Sequence, residues 1–335
     1  MIKKRTVFVL GAGAHVPYGF STGEGLLVRA RSLGIEQMVE ATEGQVPRQD
    51  LVPLRQALTD NFLPSIDALL EHRQSLRRPG KMLMLSLLID EERQALSNQW
   101  RAEEDWMSLV FQYMAEDAAS LELFSKNPVT FITFNYDRLL EYRLIRGLVA
   151  RYDVPAEEAW AAISNFGFFH MYGSLGQLPE QIARSTRPFS ITAVGIPFAA
   201  PQTSDTTFRG LALQDAENVI QIVHDKGNTS AMSQAHQELH TTATQQIFFF
   251  GFAFGKVNIG RLQTTQIPPS VPIHCTTYKM TSAEVMDCVT PAFPNHSYWS
   301  PNGNLVQSKI LNATTVTKVD KTIKEFLRER VAVFR

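Results

Sequence analysis

Four short segments of this chain carry residue types that could do chemistry, and each follows or ends a run that reads as a β-strand. Gly11-Ala12-Gly13 comes directly after Thr6–Leu10. Glycines at a strand end let the backbone approach a phosphate and aim N–H groups at it. Thr133-Phe-Asn135-Tyr-Asp137 ends the next run, and the Asn135 carboxamide can both donate and accept. His170 and Tyr172 precede Gly173-Ser174. Period-2 alternation would put both side chains on one strand face, about 6–7 Å apart. Gly251-Phe252 comes after a fourth run, and its glycine can admit a ribose or a phosphate. Plainer readings stand beside these. They are a strand–turn–helix joint for the first glycines, a helix cap for Asp137 and a hydrogen-bonded core histidine for His170.

The elements that must position these residues are set by hydrophobic periodicity. Residues 6–10, 129–134, 166–172 and 245–250 read as strands, with 271–277 and 314–317 as further ones. Residues 218–223 read as a strand or a helix start, and the rest of 177–235 as loops and short pieces. Ser21 and Glu24 have capping-box spacing ahead of Leu26, Leu27 and Ala30. Between 31 and 125 strand runs vanish and apolar residues recur at helical spacing, as in Ile66, Leu69 and Leu70 or Met107, Val110, Phe111 and Met114. Pro47 with Pro53, and Arg77-Arg78-Pro79-Gly80, mark breaks inside that stretch. Val319, Ile323, Phe326 and Leu327 place an amphipathic helix at the C-terminus. Strands alternating with helices predict an α/β fold, a Rossmann-like, mostly parallel sheet with helices on both faces. It would occupy 1–30 and 126–335, interrupted by an inserted helical module over 31–125. Such sheets bind ligands beyond the carboxyl ends of their strands, where the four segments lie.

Composition narrows the classes. The chain has 335 residues, 44% hydrophobic and 19% charged, enough to bury a sizeable core. Lys+Arg 32 against Asp+Glu 33 leaves a net charge of -1, which gives no argument for direct nucleic-acid or membrane binding. Two cysteines, Cys275 and Cys288, fit a cytoplasmic protein and exclude a four-cysteine zinc ribbon. No metal is expected. The apolar run Val7–Leu10 behind Lys3, Lys4 and Arg5 is shorter than the roughly 7–15 residues of a signal peptide core.

Taken in order, the four segments resemble the sirtuin-like (SIR2) domain of bacterial anti-phage defence proteins. The matching features are a GAG turn with a downstream Tyr18-Gly-Phe-Ser-Thr-Gly23, a T-x-N-Y-D segment, a segment ending Gly173-Ser174, and G-F-x-F-G-x-x-N from Gly251. Ser65-Ile-Asp-Ala-Leu-Leu70 and Asp105-Trp106 also look like that group. The resemblance implies an NAD+-binding domain with a helical insertion that cleaves NAD+ to ADP-ribose and nicotinamide, NAD+ being the substrate. It implies a catalytic role for Asn135, and the role of the family's histidine falls either to His170, two residues before the matching position, or to Tyr172 as a hydrogen-bonding group at that position. It implies NAD+ contacts from Gly11, Ala12, Gly13, Thr22, Thr133, Asp137, Tyr172, Gly173, Ser174, Gly251 and Phe252. It further implies a homo-oligomer, with room for a separately encoded partner such as a HerA-like ATPase or an Argonaute-type protein. The chain departs from the family twice: His15 stands where a serine is common, and Tyr172 stands where the catalytic histidine usually precedes Gly-Ser. Tyrosine is a poor base at neutral pH.

Three alternatives compete. An inactive module that binds NAD+ or ADP-ribose and assembles with a partner accommodates Tyr172. A dehydrogenase fits less well, because Val16 stands where the dinucleotide fingerprint needs a third glycine. A nuclease lacks a metal-ligand cluster, and His236 and His240, four apart, read as a surface pair.

Overall fold

The computed structural model describes residues 1–60, 62–97, 104–176, 213, 217–218, 220–222, 229–299, 305–307, 313–329 and 334. Three central strands form from β-branched and aromatic runs in which every residue is buried, the few polar ones included: β1 (Thr6–Leu10), β2 (Val129–Thr133) and, further along, β4 (Gln246–Phe250). Continuous burial is what a parallel strand covered on both faces demands. β3 (Gly167–His170), β5 (Ile273–Thr276), β6 (Ser297–Trp299), β7 (Leu305–Val306) and β8 (Thr315–Val319) complete the sheet. The eight strands run in the order β3-β2-β1-β4-β5-β8-β6-β7. Every pairing is parallel except β6 with β7.

An aromatic row pins the register. Phe168, Phe131, Phe8, Phe248 and His274 are successive register partners from β3 to β5. Neighbouring rings stack at centroid distances of 5.2, 5.2, 5.4 and 4.8 Å. A one-residue slip would turn all of these rings to the other face. The opposite parity, Val7, Val9, Ile132, Ile247 and Phe249, feeds a second core.

The first core also takes residues from α6 (Trp106–Ala115), α8 (Leu139–Tyr152), α9 (Ala156–Ile163) and α12 (Ile323–Glu329). The second takes residues from α10 (Thr229–Leu239) and α11 (Lys256–Leu262). A third, leucine-rich core is built by α1 (Gly23–Ser32), α2 (Ile35–Ala41), α3 (Arg48–Thr59), α4 (Ile66–His72) and α5 (Arg77–Ser97). The separate helical core therefore starts at Leu26, before residue 31. Trp106 to Phe124, expected in the insertion, packs instead in the first core of the sheet. α7 (Leu121–Phe124) is a single turn on that face.

Local signals shift at several boundaries. Thr22, not Ser21, caps α1 by accepting from Gly25 N. Ser21 is drawn to Glu91 on α5, its backbone N–H and hydroxyl donating at 3.0 and 2.5 Å. The expected breaks are present: Pro47 is the N-cap of α3 after the α2–α3 turn, and α5 begins at Arg77 after the break that follows α4, while Pro53 lies inside α3 and Pro79 in the first turn of the 21-residue α5. Val319 ends β8 rather than opening the last helix. Of 218–223, Asn218 is helical, 220–222 have no regular structure, and Val219 and Val223 lie outside the described residues.

The histidine pair is half-buried and is bonded to the neighbouring helix rather than free. His236 and His240 on α10 stack at 5.0 Å, with Nε2 to Arg261 O at 2.6 Å and to Leu262 O at 3.0 Å. Each ring donates to a carbonyl at the end of α11, which a helix C-terminus leaves open. Burial first, then the His236 charge, lower His240 below the ordinary 6.5. A histidine with a lowered folded pKa adds stability that is present above its unfolded value and lost as pH falls through the folded one. The urea midpoint is expected to drop between pH 7.5 and 5, and to drop less in His240→Gln, which keeps a donor but does not titrate. Equal drops would contradict this coupling.

Candidate active site

β1 lies between β2 and β4, and the chain order reverses there, so β1 is the topological switch point of the sheet. Leu10 is level with Thr133 on one side and Phe250 on the other. The segments after these three strands therefore leave the sheet at one edge. They line a cavity of about 1120 Å³, together with the N-terminus of α1 and residues from α4, α5 and the start of α6.

The glycines answer a close backbone approach. Gly11 N donates to Phe250 O and Gly13 N to Gly251 O, each at 3.0 Å. A Cβ on Gly11 would fall 2.5 Å from Gly251 O, and one on Gly251, at φ +56°, would fall 1.9 Å from Ala14 N. The two turns are thus fused backbone to backbone. Trp106 Nε1 donates to Ala14 O at 2.7 Å, and Asp105 accepts from the Tyr18 hydroxyl at 2.8 Å and Arg143 at 2.5 Å. Asp105-Trp106 fastens the turn from outside.

Asn135 lines the cavity, 8% exposed. Its backbone N–H donates to Thr133 Oγ1 at 3.0 Å and its Nδ2 to Gly11 O at 3.2 Å. Asp137 splits its oxygens. Oδ1 accepts from Leu139 N, the first residue of α8, at 3.1 Å, although the N-cap position itself is Arg138. Oδ2 lies 2.8 Å from His15 Nδ1, with both side chains buried. Tyr18, Phe20 and Trp106 surround the His15 ring at 5.7–6.5 Å between centroids. Its Nε2 is buried with no hydrogen-bond partner among the described residues. Sequence reasoning treated His15 only as a departure from a pattern. The available signal was that His15 and Asp137 come after adjacent parallel strands of equal reach.

Of the expected residues, the cavity gathers Gly11, Ala12, Gly13, Thr22, Asn135, Asp137, Tyr172, Gly251 and Phe252. Thr133 stands behind Asn135 as its acceptor. His170, Gly173 and Ser174 line a separate cavity of about 800 Å³ beside β3. The same-face expectation for His170 and Tyr172 fails because β3 ends at His170 and a turn with Gly173 at φ +86° begins. His170 is level with Thr133, itself level with Leu10, so it points toward the first core, whereas Tyr172 packs in the second.

His170 is held by acceptors on both nitrogens, Nδ1 to Asn135 O at 3.0 Å and Nε2 to Glu141 Oε1 at 2.9 Å. With both nitrogens committed to protein acceptors, the ring is held as a structural group with no nitrogen free to serve as a base. Arg138 Nε reaches the same Glu141 oxygen at 2.7 Å. Burial by itself would raise the Glu141 carboxyl, and Arg138 with His170 reverse this and hold it well below the carboxylate range. Next to it, burial and then the Asp137 charge push Glu92 well above that range. The Tyr172 hydroxyl donates to Asn258 Oδ1, and Arg261 lies 4.7 Å over its ring. Burial pushes that hydroxyl far up in pKa despite Arg261. Asn258 lies inside α11, whose N-cap is Gly255, so it meets Tyr172 rather than capping the helix. No family model and no curated protein matches the chain.

Proposed function

We propose that the chain is a sirtuin-like NAD+ hydrolase that splits NAD+ into ADP-ribose and nicotinamide, acting in anti-phage defence by depleting NAD+. One observation carries the reading. Residues from the GAG turn, the T-x-N-Y-D segment and the Gly251-Phe252 turn, joined by Thr22 and Tyr172, line one cavity at the switch point of a parallel sheet, although His170, Gly173 and Ser174 line another. The N-terminus of α1, with Thr22 and Gly23 on the cavity wall, favours the pyrophosphate. Cleavage builds positive charge on the ribose, and the nicotinamide leaves neutral, so no strong acid is needed. The chain must orient the sugar, exclude bulk water and admit one nucleophile. Asn135, anchored through Nδ2 to Gly11 O, would hold that water or a ribose hydroxyl. Asn135→Ala is expected to lower NAD+ consumption by about 100-fold or more, with a stability loss of only about 1–3 kcal/mol from the missing bond to Gly11 O. Unchanged consumption would remove Asn135 from the site.

Tyr172 favours a second reading. With its hydroxyl buried against Asn258 it is no base, and an NAD+- or ADP-ribose-binding module that assembles with itself, a HerA-like ATPase or an Argonaute-type protein would need none. Bound NAD+ recovered intact after prolonged incubation with such a partner would establish it.

A further inference from the structure

The His15–Asp137 pair has the construction of a proton acceptor. Asp137 Oδ2 takes the hydrogen bond from His15 Nδ1 at 2.8 Å. This fixes the tautomer and leaves Nε2 with a free lone pair. Nε2 is buried with no partner among the described residues, an arrangement that costs stability. Histidine and cavity share a wall with Asn135. The aromatic cage of Tyr18, Phe20 and Trp106 holds the ring rigid and away from bulk water. Meanwhile His170 has both nitrogens committed and Tyr172 cannot accept a proton near neutrality.

We propose that His15, oriented by Asp137, is the catalytic residue that accepts the proton of the attacking water in this cavity. This rests on the NAD+-cleaving reading. The C1′–nitrogen bond breaks and its electron pair leaves with the nicotinamide. The water oxygen bonds C1′, one water proton passes to His15 Nε2 and then to solvent, and nothing is oxidised or reduced. The proton-relaying histidine thus sits on the turn after β1, not at the end of β3.

The test compares wild-type full-length protein with His15→Asn and Asp137→Asn, measuring NAD+ affinity by calorimetry and cleavage across pH. His15→Asn keeps a donor toward Asp137 but has no Nε2. It is expected to bind NAD+ within about threefold of wild type and to cleave it about 100- to 10000-fold more slowly. Asp137→Asn, which favours the wrong tautomer, should lose a comparable factor. Wild-type cleavage should fall toward acid pH, as for any reaction that needs a catalytic base, a limb absent from His15→Asn. Glu92 beside Asp137, Tyr18 at the ring edge and Glu104 on the cavity wall are the other titratable groups facing the pair. Cleavage in His15→Asn at the wild-type rate with the same acid limb would overturn the role of the pair alone. Absence of cleavage in the wild type would overturn the functional reading and this role together. If His15→Asn does not fold, Asp137→Asn and the wild-type acid limb decide by the same criteria.

Discussion

Replacing Gly251 with alanine is expected to be the most damaging conservative change in the chain. The added Cβ would meet Ala14 N at 1.9 Å and Gly13 C at 2.3 Å, and both are backbone atoms that cannot rotate away. The residue also sits at φ +56°, where a side chain is unfavourable by about 1–2 kcal/mol before any clash. Gly13 N–H must keep its bond to Gly251 O, so relief by separating the turns breaks the fusion that shapes the cavity. A loss of about 4 kcal/mol or more in unfolding free energy is expected. Gly19→Ala is the control. At φ +91° it has nothing within 4 Å of the added Cβ, so only the conformational cost remains. Urea denaturation of the two variants checks this. Similar midpoints would mean that the β1 and β4 turns are not packed as described.

Glu141→Gln is the second large effect. Glu141 serves Arg138 and His170 through one oxygen, and all three side chains are at most 10% exposed. Removing the carboxylate charge leaves the buried Arg138 guanidinium without its partner, and breaking such a pair costs about 3–5 kcal/mol. The pH dependence gives an independent reading. A carboxyl held below its ordinary value contributes stability that is complete above that value, 4.5 in the unfolded chain, and is lost as pH falls below it. The wild type should therefore lose stability as pH falls from 5 toward 3, and Glu141→Gln should lose less over that interval. An unchanged profile would mean that Glu141 is not ionised in the folded state. The variant should also disturb the cavity, because His170 ties this charge cluster to the Asn135 carbonyl.

The central strands were legible because buried parallel strands leave unbroken apolar runs, as in 7–10 and 247–250. The cavity edge was legible too, since chain order alone locates the segment after each strand. Side-chain direction beyond a strand end was not. Alternation applies only while the backbone stays extended, and β3 ends at His170, before Tyr172 is reached. The limits of the helical layer were also hidden. The apolar face of α6 would satisfy either core, and the choice falls to the Trp106 and Asp105 contacts with the first turn. The paired carboxylates Glu91 and Glu92 look solvent-facing in sequence, yet they bind Ser21 with Arg29 and the Arg138 backbone. Only tertiary partners reveal that burial. His15 and Asp137 lie 122 positions apart, and no local pattern joins them.

Cleavage of the nicotinamide–ribose bond in this cavity is tested most directly by product analysis. Purified full-length protein is incubated with NAD+, and the products are separated and quantified. Nicotinamide and ADP-ribose are expected in equal amounts, rising together as NAD+ disappears. NAD+ recovered whole, or consumed without release of nicotinamide, would contradict the assignment.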